Sequence, residues 1–362
     1  MTPAPLPPSL MSGRLALVAL ALLTALPARA QDLPARIDSL ARAFVAETGA
    51  PSLVVALTRG GVRSVAGYGL VDGMAPDAQT RYEVGSVTKA FTSLALAQAV
   101  GRGEVTLDTP VQDLLPDSVR LTTVGRPITL GDLASHTSGL PRLPVPFMPT
   151  SILDPYADYD EADLMRFAAT VRPDSAGAGY SYSNVGTGLL AWVLARRAGV
   201  GVEALLERDV AGPLGLTATT MSGDAAQPHT TSGTPIAPWS WTDALAGAGG
   251  LRSNTADLLT LAEAVARPER APALAGAIRL AATPRSASAG RFRVGLAWHL
   301  LPEAAGPVRG IFHNGATFGS VAFVGVLPEA DAGVVLLANT GAAGPLDALA
   351  GQILRVLAVP TP

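Results

Sequence analysis

The sequence predicts an α/β fold of the α+β type, in which an antiparallel β-sheet is flanked by helices and joined to a mainly helical second region. Three observations predict this fold. A β-hairpin pattern lies near the start of the chain, helical patterns and long Pro- and Gly-rich loops fill the middle, and strand patterns followed by a helix return at the end. Because hairpin connections join antiparallel strands, we expect one sheet that both ends of the chain complete.

The first elements are a hairpin and a helix. Residues 52–58 and 62–69 are rich in strand-forming residues and are joined by Arg59-Gly60-Gly61, which is a hairpin signal. From Val87 to about Val100 the apolar pattern becomes helical, and Gly101 ends it.

The middle of the chain, roughly residues 100–275, mixes short helical patterns with long loops. Its clearest helices are Leu189–Ala198 and Ala256–Ala266. Asn254 is a candidate N-cap for the second helix, and Asp257, three residues further on, would complete a capping box.

Strand patterns return after about residue 290, over residues 294–300, 320–327 and 333–339. The tail has apolar residues at helical spacing, which predicts a closing helix with one buried face. That face comprises Leu346, Leu349, Ala350, Ile353, Leu354 and Leu357.

The first thirty residues resemble an export signal. The apolar run Leu15–Leu26 follows Arg14 and precedes Ala28-Arg29-Ala30, a small-residue cleavage pattern. The run has fewer than the ~20 apolar residues that span a bilayer, so we expect no stable membrane anchor. We therefore predict a signal peptide at residues 1–30 and an exported protein, either periplasmic or secreted. A buried N-terminal helix is the alternative.

We then expect residues 31–362 to form the mature domain. We divide it into an α/β part at about residues 31–95 and 275–362, and a helical part at about 96–274.

Composition excludes several classes of protein. The chain has 362 residues, 48% of them hydrophobic and 15% charged, with a formal net charge of −3 and no cysteine. The charge argues against nucleic acid as a partner, because no basic stripe is available to neutralise phosphates. The absence of cysteine excludes disulfides and a thiol nucleophile. The four histidines are scattered without a ligand motif, so we predict no metal site and no cofactor.

Lysine usage points to a reactive amine. Of the 26 basic residues, 25 are arginine and one is Lys89. Arginine supplies positive charge but cannot lose its proton, whereas a buried lysine can become a neutral base. Ser86 lies three residues before Lys89, so a helix places the hydroxyl beside the amine. The alternative is a capping serine with a surface lysine.

Tyr182-Ser183-Asn184 is a second candidate site, on a loop that enters a helix. A phenol near an ammonium can have its pKa lowered and then relay protons. The Asn184 amide can both donate to and accept from a substrate amide or ester. An N-capping Asn184 beside an exposed Tyr182 explains the pattern equally well.

His313-Asn314-Gly315 is the third candidate site. Gly315 would let a substrate approach the backbone, which would leave the Ala316 N–H free to bind an oxyanion. Of the other histidines, His136 is expected to fix a loop by hydrogen bonds.

Ser86-Val87-Thr88-Lys89, Tyr182-Ser183-Asn184 and His313-Asn314-Gly315 occur in the order of the three motifs of the penicillin-recognising serine hydrolases. The chain most resembles the branch of class C β-lactamases, D-alanyl-D-alanine carboxypeptidases and related esterases. This resemblance implies a β-lactamase/transpeptidase-like fold, with the site between the sheet and the helical region. One departure weakens a β-lactamase assignment: that class has Lys-Thr-Gly at the third motif, whereas this chain has His-Asn-Gly.

The resemblance also implies roles for the site residues. Ser86 would attack a carbonyl, and Lys89 and Tyr182 would take and return its proton. The N–H groups of Ser86 and Ala316 would hold the oxyanion, and Asn184 would orient the substrate.

In place of the usual lysine, His313 would contact Tyr182 or a substrate carboxylate. Because a reference imidazole titrates near pH 6.5, its charge could change within the working range, and it would hold a carboxylate only while cationic. The implied partner is a small-molecule or peptide substrate, such as a D-amino-acid peptide, a small ester or a β-lactam. The alternative is a slow or catalytically silent penicillin- or peptide-binding module.

Overall fold

The computed structural model describes residues 33–173, 176–177, 179–287, 292–302 and 308–359. The predicted signal peptide at residues 1–30 lies outside these residues. Within them, no helix combines the length and the apolar character that crossing a membrane requires.

The described strands form one eight-stranded sheet and one small two-stranded sheet, all with antiparallel pairs. The large sheet has the strand order β2-β1-β10-β9-β8-β7-β6-β5, so β1 near the start pairs with β10 near the end, as predicted. The strands are β1 Ser52–Arg59, β2 Val62–Gly69, β3 Tyr82–Glu83, β4 Arg252–Ser253, β5 Ser286–Ala287, β6 Arg293–Val294, β7 His299–Pro302, β8 Val308–Ala316, β9 Val321–Leu327 and β10 Ala332–Ala338.

Helices cover both faces of the large sheet and form a separate helical layer beside it. The first and last helices pack together on one face, and the helix α9 packs on the other, against β1, β9 and β10. The helices are α1 Leu33–Thr48, α2 Thr88–Gly101, α3 Leu130–Ala134, α4 Glu161–Thr170, α5 Asn184–Ala198, α6 Val202–Leu206, α7 Gly212–Leu214, α8 Asp243–Ala246, α9 Thr255–Ala266, α10 Ala275–Ala281 and α11 Ala343–Leu357.

The large sheet buries a hydrophobic cluster on each of its two faces. Along β1, Leu53 and Val55 pack with the cluster that includes α1 and α11, whereas Val54 and Ala56 pack with the larger cluster that includes α2 and α9. This alternation follows from the two-residue period of a strand. The predicted face of α11 is buried at all six positions.

Two local predictions need correction. The predicted strand 294–300 is two strands, because the chain turns between β6 and β7, where Gly295 N donates to Trp298 O at 2.9 Å. A Cβ on Gly295 would lie 2.1 Å from Ala281 O, so the turn requires glycine. In addition, α9 lies in the segment assigned to the helical part but packs on the sheet.

The capping box predicted for α9 is half formed. The Asn254 side chain accepts from Asp257 N at 2.9 Å, as predicted. The Asp257 carboxylate instead accepts from Ala218 N and Thr219 Oγ1, both at 2.8 Å, and so it anchors a neighbouring loop.

Candidate active site

Ser86 and Lys89 lie side by side at the start of α2. Ser86 belongs to a 3₁₀ turn, Gly85–Val87, and the helix itself begins one residue later at Thr88. Lys89 is completely buried, and its Nζ lies 2.9 Å from Ser86 Oγ. The amine also donates to Ala248 O at 2.5 Å. The alternative of a capping serine with a surface lysine is therefore wrong.

The environment of Lys89 favours a neutral amine. Burial lowers its pKa well below the usual value, and the positive charge of Arg142 lowers it further. No acidic side chain of the described chain acts in the opposite direction. A neutral amine that donates one hydrogen to Ala248 O keeps a lone pair for the Ser86 proton. The arrangement can therefore deprotonate a hydroxyl.

Tyr182 lies beside this pair. Its ring centroid is 5.0 Å from Lys89 Nζ and 5.0 Å from the guanidinium carbon of Arg142. Burial raises the pKa of the phenol, although a contact with Ser86 and the charge of Arg142 oppose part of the shift. The expected lowering of this pKa is thus wrong, because desolvation of a phenolate outweighs the nearby positive charge. Tyr182 is a neutral phenol.

Asn184 begins α5, but the N-cap is Ser183, whose Oγ accepts from Gly186 N at 2.9 Å. The Asn184 Nδ2 donates to the Tyr156 hydroxyl at 3.3 Å. Its Oδ1 is buried and has no partner within the described chain. Since Asn184 lines the open cavity beside Ser86, this oxygen is an available acceptor.

His136 fixes the loop before Tyr182, as predicted. It has a positive φ of 57°, and its Nδ1 accepts from Ser183 N at 3.2 Å. Its backbone O accepts from Ser181 N at 2.8 Å, and its ring packs on Tyr182 with 4.5 Å between centroids.

His313 is placed differently from the expectation. It is completely buried on β8, and its Nδ1 donates to Asn314 O at 2.6 Å. Burial lowers its pKa well below the usual value, and the adjacent His299, with ring centroids 5.2 Å apart, lowers it further. The hypothesis that His313 changes charge in the working range is therefore wrong, because its side chain is desolvated without an acidic partner in the described chain.

The end of β8 packs against the turn that carries Ser86. A Cβ on Gly315 would lie 2.0 Å from Val84 O and 2.8 Å from Ser86 N. Gly315 is thus required by the Ser86 turn, which corrects the expectation that it admits a substrate. Ser86 and Ala316 both line the same cavity, so their backbones lie on neighbouring segments beside it.

The cavity above Ser86 has a volume of about 560 Å³. One side is an aromatic wall, which we define as Phe147, Tyr156, Trp239, Trp241 and Phe318. Tyr156 stacks on Trp241 with 4.2 Å between ring centroids, and Trp239 meets Phe318 edge-on at 5.1 Å. The wall can hold an apolar group of a ligand close to the Ser86 hydroxyl.

Sequence reasoning missed Glu83, Ala248, Arg142 and the aromatic wall. The buried Glu83 accepts from Trp239 N at 2.6 Å and from Thr317 Oγ1 at 3.0 Å, so it ties the wall to the strand end beside Ala316. The clustering of two of the four tryptophans within three residues, in Trp239-Ser240-Trp241, was an available signal for the wall. Within the described ranges, no group of three His, Asp or Glu residues could hold a metal ion.

Known proteins share this architecture. The family model described as Beta-lactamase matches residues 37–358. The β-lactamase/D-alanine carboxypeptidase from Pseudomonas syringae has a similar fold, with a TM-score of 0.78 at 22% identity, over 91% of this chain and 99% of that one.

Two relatives have similar sequences. The D-alanyl-D-alanine-carboxypeptidase/endopeptidase AmpH of Escherichia coli (strain K12) is 29% identical over 238 residues, which cover 62% of this chain and 59% of AmpH. A β-lactamase of the same strain is 28% identical over 323 residues, which cover 77% of this chain and 81% of the relative.

The family match covers most of the chain, and it confirms both the resemblance read from the three motifs and the predicted fold class. This chain belongs to the Beta-lactamase family, within the penicillin-recognising serine hydrolases.

Proposed function

We propose that the protein hydrolyses esters or amides through an acyl-enzyme formed on Ser86. The observation that carries this proposal is the 2.9 Å contact between Ser86 Oγ and the fully buried amine of Lys89. A hydroxyl is a weak nucleophile at neutral pH, and an adjacent base is the usual means of activating it. Within the described chain, Lys89 is the group that meets this requirement.

Acylation begins when the Ser86 Oγ–H proton moves to Lys89 Nζ and Oγ bonds to the substrate carbonyl carbon. The carbonyl electron pair moves to oxygen, and the Ser86 and Ala316 N–H groups stabilise this oxyanion. Collapse of the intermediate breaks the bond to the leaving group. The leaving group takes the proton from the Lys89 ammonium, relayed by the Tyr182 hydroxyl.

Deacylation repeats these steps with water. Lys89 takes a proton from the water, whose oxygen bonds to the acyl carbon, and the ester bond to Ser86 Oγ then breaks. The proton returns to Oγ and the free acid leaves. The Tyr182 ring, 5.0 Å from Nζ, stabilises the transient ammonium by a cation–π contact. The unpartnered Oδ1 of Asn184 accepts a hydrogen bond from the substrate and orients it, while Nδ2 is held by the Tyr156 hydroxyl.

The test is covalent labelling. The wild-type protein should gain the mass of one fluorophosphonate adduct, and peptide mapping should place it on Ser86. Ser86→Ala should take no label and lose turnover. Ser93→Ala, which removes a buried hydroxyl about two turns beyond Ser86 on α2, should still be labelled. A label on another serine, or turnover by Ser86→Ala, would overturn the proposal.

The substrate class is then identified by measuring turnover of a panel of small esters, D-alanyl peptides and β-lactams. The aromatic wall should favour substrates that carry an apolar group over those with a small polar one. A stable penicillin adduct on Ser86 without turnover of any substrate would instead indicate that the protein is a catalytically silent penicillin- or peptide-binding module.

We further propose that the protein is exported, on the basis of the signal-like residues 1–30. N-terminal sequencing of the protein from the extracytoplasmic fraction should begin at Gln31. Full-length protein that remains in the cytoplasm would contradict export.

A further inference from the structure

Arg142 is the one charged side chain among the described residues that line the cavity above Ser86. It is exposed, and its guanidinium carbon lies 5.0 Å from the centroid of the Tyr182 ring. The cavity is otherwise apolar or uncharged, so a substrate that enters it meets a single positive charge close to the reacting atoms.

The backbone holds Arg142 in place. Its O accepts from Asn184 N at 2.9 Å, and the O of the preceding Pro141 accepts from Ser183 Oγ at 2.7 Å. Both bonds attach the loop to the start of α5, which also carries Asn184. The position of the guanidinium is therefore set by the same element that places the substrate-orienting amide.

The guanidinium lacks an acidic partner. None of the ion pairs between described residues includes Arg142, and its side chain donates no hydrogen bond to the described chain. Other arginines of the chain are paired, for example Arg126 with Asp132 and Arg270 with Asp331. A guanidinium presents a planar fork of N–H donors that fits a carboxylate with two parallel bonds.

We propose that Arg142 is a specificity residue that binds a carboxylate of the substrate. This inference rests on the proposed function and deepens it: the preferred substrate carries an apolar group for the aromatic wall and an anionic group for Arg142. His313, to which the sequence assigned this role, is buried and neutral, so the cationic partner comes from the loop before α5 instead of from β8.

The test compares matched pairs of substrates that differ only in charge. In the first pair the carboxylate is in the acyl half: the para-nitrophenyl monoester of glutaric acid and its neutral methyl diester. In the second pair it is in the leaving group: the phenylacetyl esters of meta-hydroxybenzoate and meta-hydroxybenzamide. The measured quantity is the ratio of kcat/KM for the charged and neutral members of each pair.

In at least one pair, Arg142→Gln should lower this ratio by about 10- to 100-fold, the range for a hydrogen bond to a charged group. Because a bound carboxylate is held in the ground state as well, the loss should fall mainly in KM. Arg142→Lys should retain part of the preference, since it keeps the charge without the fork. Arg279→Gln, an exposed arginine on α10 outside the cavity, should leave the ratio unchanged.

Phenylboronic acid and its meta-carboxy derivative add to a reactive serine and inhibit without turnover. The ratio of their inhibition constants therefore measures the preference for a carboxylate independently of turnover. Unchanged ratios in both pairs and in the inhibitors would overturn the proposal. So would an equal loss for charged and neutral substrates with a shifted pH profile, since that result would show that Arg142 acts only on the pKa of Lys89.

Labelling separates the two proposals. If Ser86 takes no fluorophosphonate, the proposed function fails; if it is labelled and the ratios do not respond to Arg142, only this inference fails.

Discussion

Gly315 lies directly against the backbone amide of Ser86. A Cβ at position 315 would be 2.8 Å from Ser86 N and 2.0 Å from Val84 O, closer than a methyl group tolerates. The strand β8 and the turn that carries Ser86 therefore approach each other only because position 315 has no side chain. This contact sets the separation between Ser86 and Ala316.

Gly315→Ala should lower kcat/KM by about 100-fold or more, because it pushes the two amides away from the position of the oxyanion. Its overpacking should also cost about 1–3 kcal/mol of stability. Gly351→Ala is the control: this glycine lies on α11 with nothing within 4 Å of its Cβ position, so alanine should stabilise by about 0.5–1 kcal/mol. Full activity in Gly315→Ala would show that this separation is not critical.

Lys89→Arg should reduce the acylation rate by about 10²–10⁴-fold. The guanidinium keeps its proton, so it cannot accept the proton of Ser86. Stopped-flow measurement of the acyl-enzyme burst tests this directly, with circular dichroism to confirm the fold. An acylation rate within about threefold of the wild type would show that Lys89 need not accept the proton, and Tyr182 would then be the candidate base.

Lys89 should also make stability depend on pH. Its pKa is lowered by folding, so between that pKa and about 10.5 the unfolded chain binds a proton that the folded chain lacks. The stability contributed at this site therefore rises with pH, by about 1.4 kcal/mol per pH unit within the window. The Tm of Lys89→Met relative to the wild type should fall as the pH increases from 7 to 10.

Arg279→Met, which removes an exposed positive charge, is the control for this pH series. Its Tm difference from the wild type should stay constant over the same range. Parallel Tm curves for Lys89→Met and the wild type would show that Lys89 is charged in the folded protein.

His313 should not contribute to the pH profile near neutrality. Its pKa lies well below the usual value because it is buried, so it is already neutral between pH 6 and 8. His313→Gln should change the magnitude of kcat/KM but keep the shape of its pH dependence across that range. Loss of a titration near pH 6–7 in the variant would show a charged imidazole in the working enzyme.

The local features of the site could be predicted from the sequence. The three-residue spacing of Ser86 and Lys89 fixes their contact through helical geometry, and the count of one lysine among 26 basic residues marked the position. The hairpin of β1 and β2 and the buried face of α11 follow from the periodicity of their apolar residues.

The remainder depends on contacts distant in sequence. Ala248 and Arg142 reach the site on loops whose paths are set by packing, and neither carries a local pattern. The pKa values of Tyr182 and His313 differ from the expectation because both side chains are buried, and the degree of burial cannot be read from the flanking residues. The strand prediction over 294–300 failed because its apolar run conceals the turn at Gly295.

The pairing of β1 with β10 has a consequence for biosynthesis. A ribosome releases the apolar β1 early, and the strand that covers its edge emerges only near the end of the chain. Ser86 is also synthesised long before Gly315 and Ala316, so a nascent or truncated polypeptide contains the nucleophile without the Ala316 N–H, the second of the two proposed oxyanion donors. High contact order makes such a chain slow to fold and prone to aggregate. The proposed pair of oxyanion donors can therefore form only after β8 has been synthesised and has packed against the Ser86 turn.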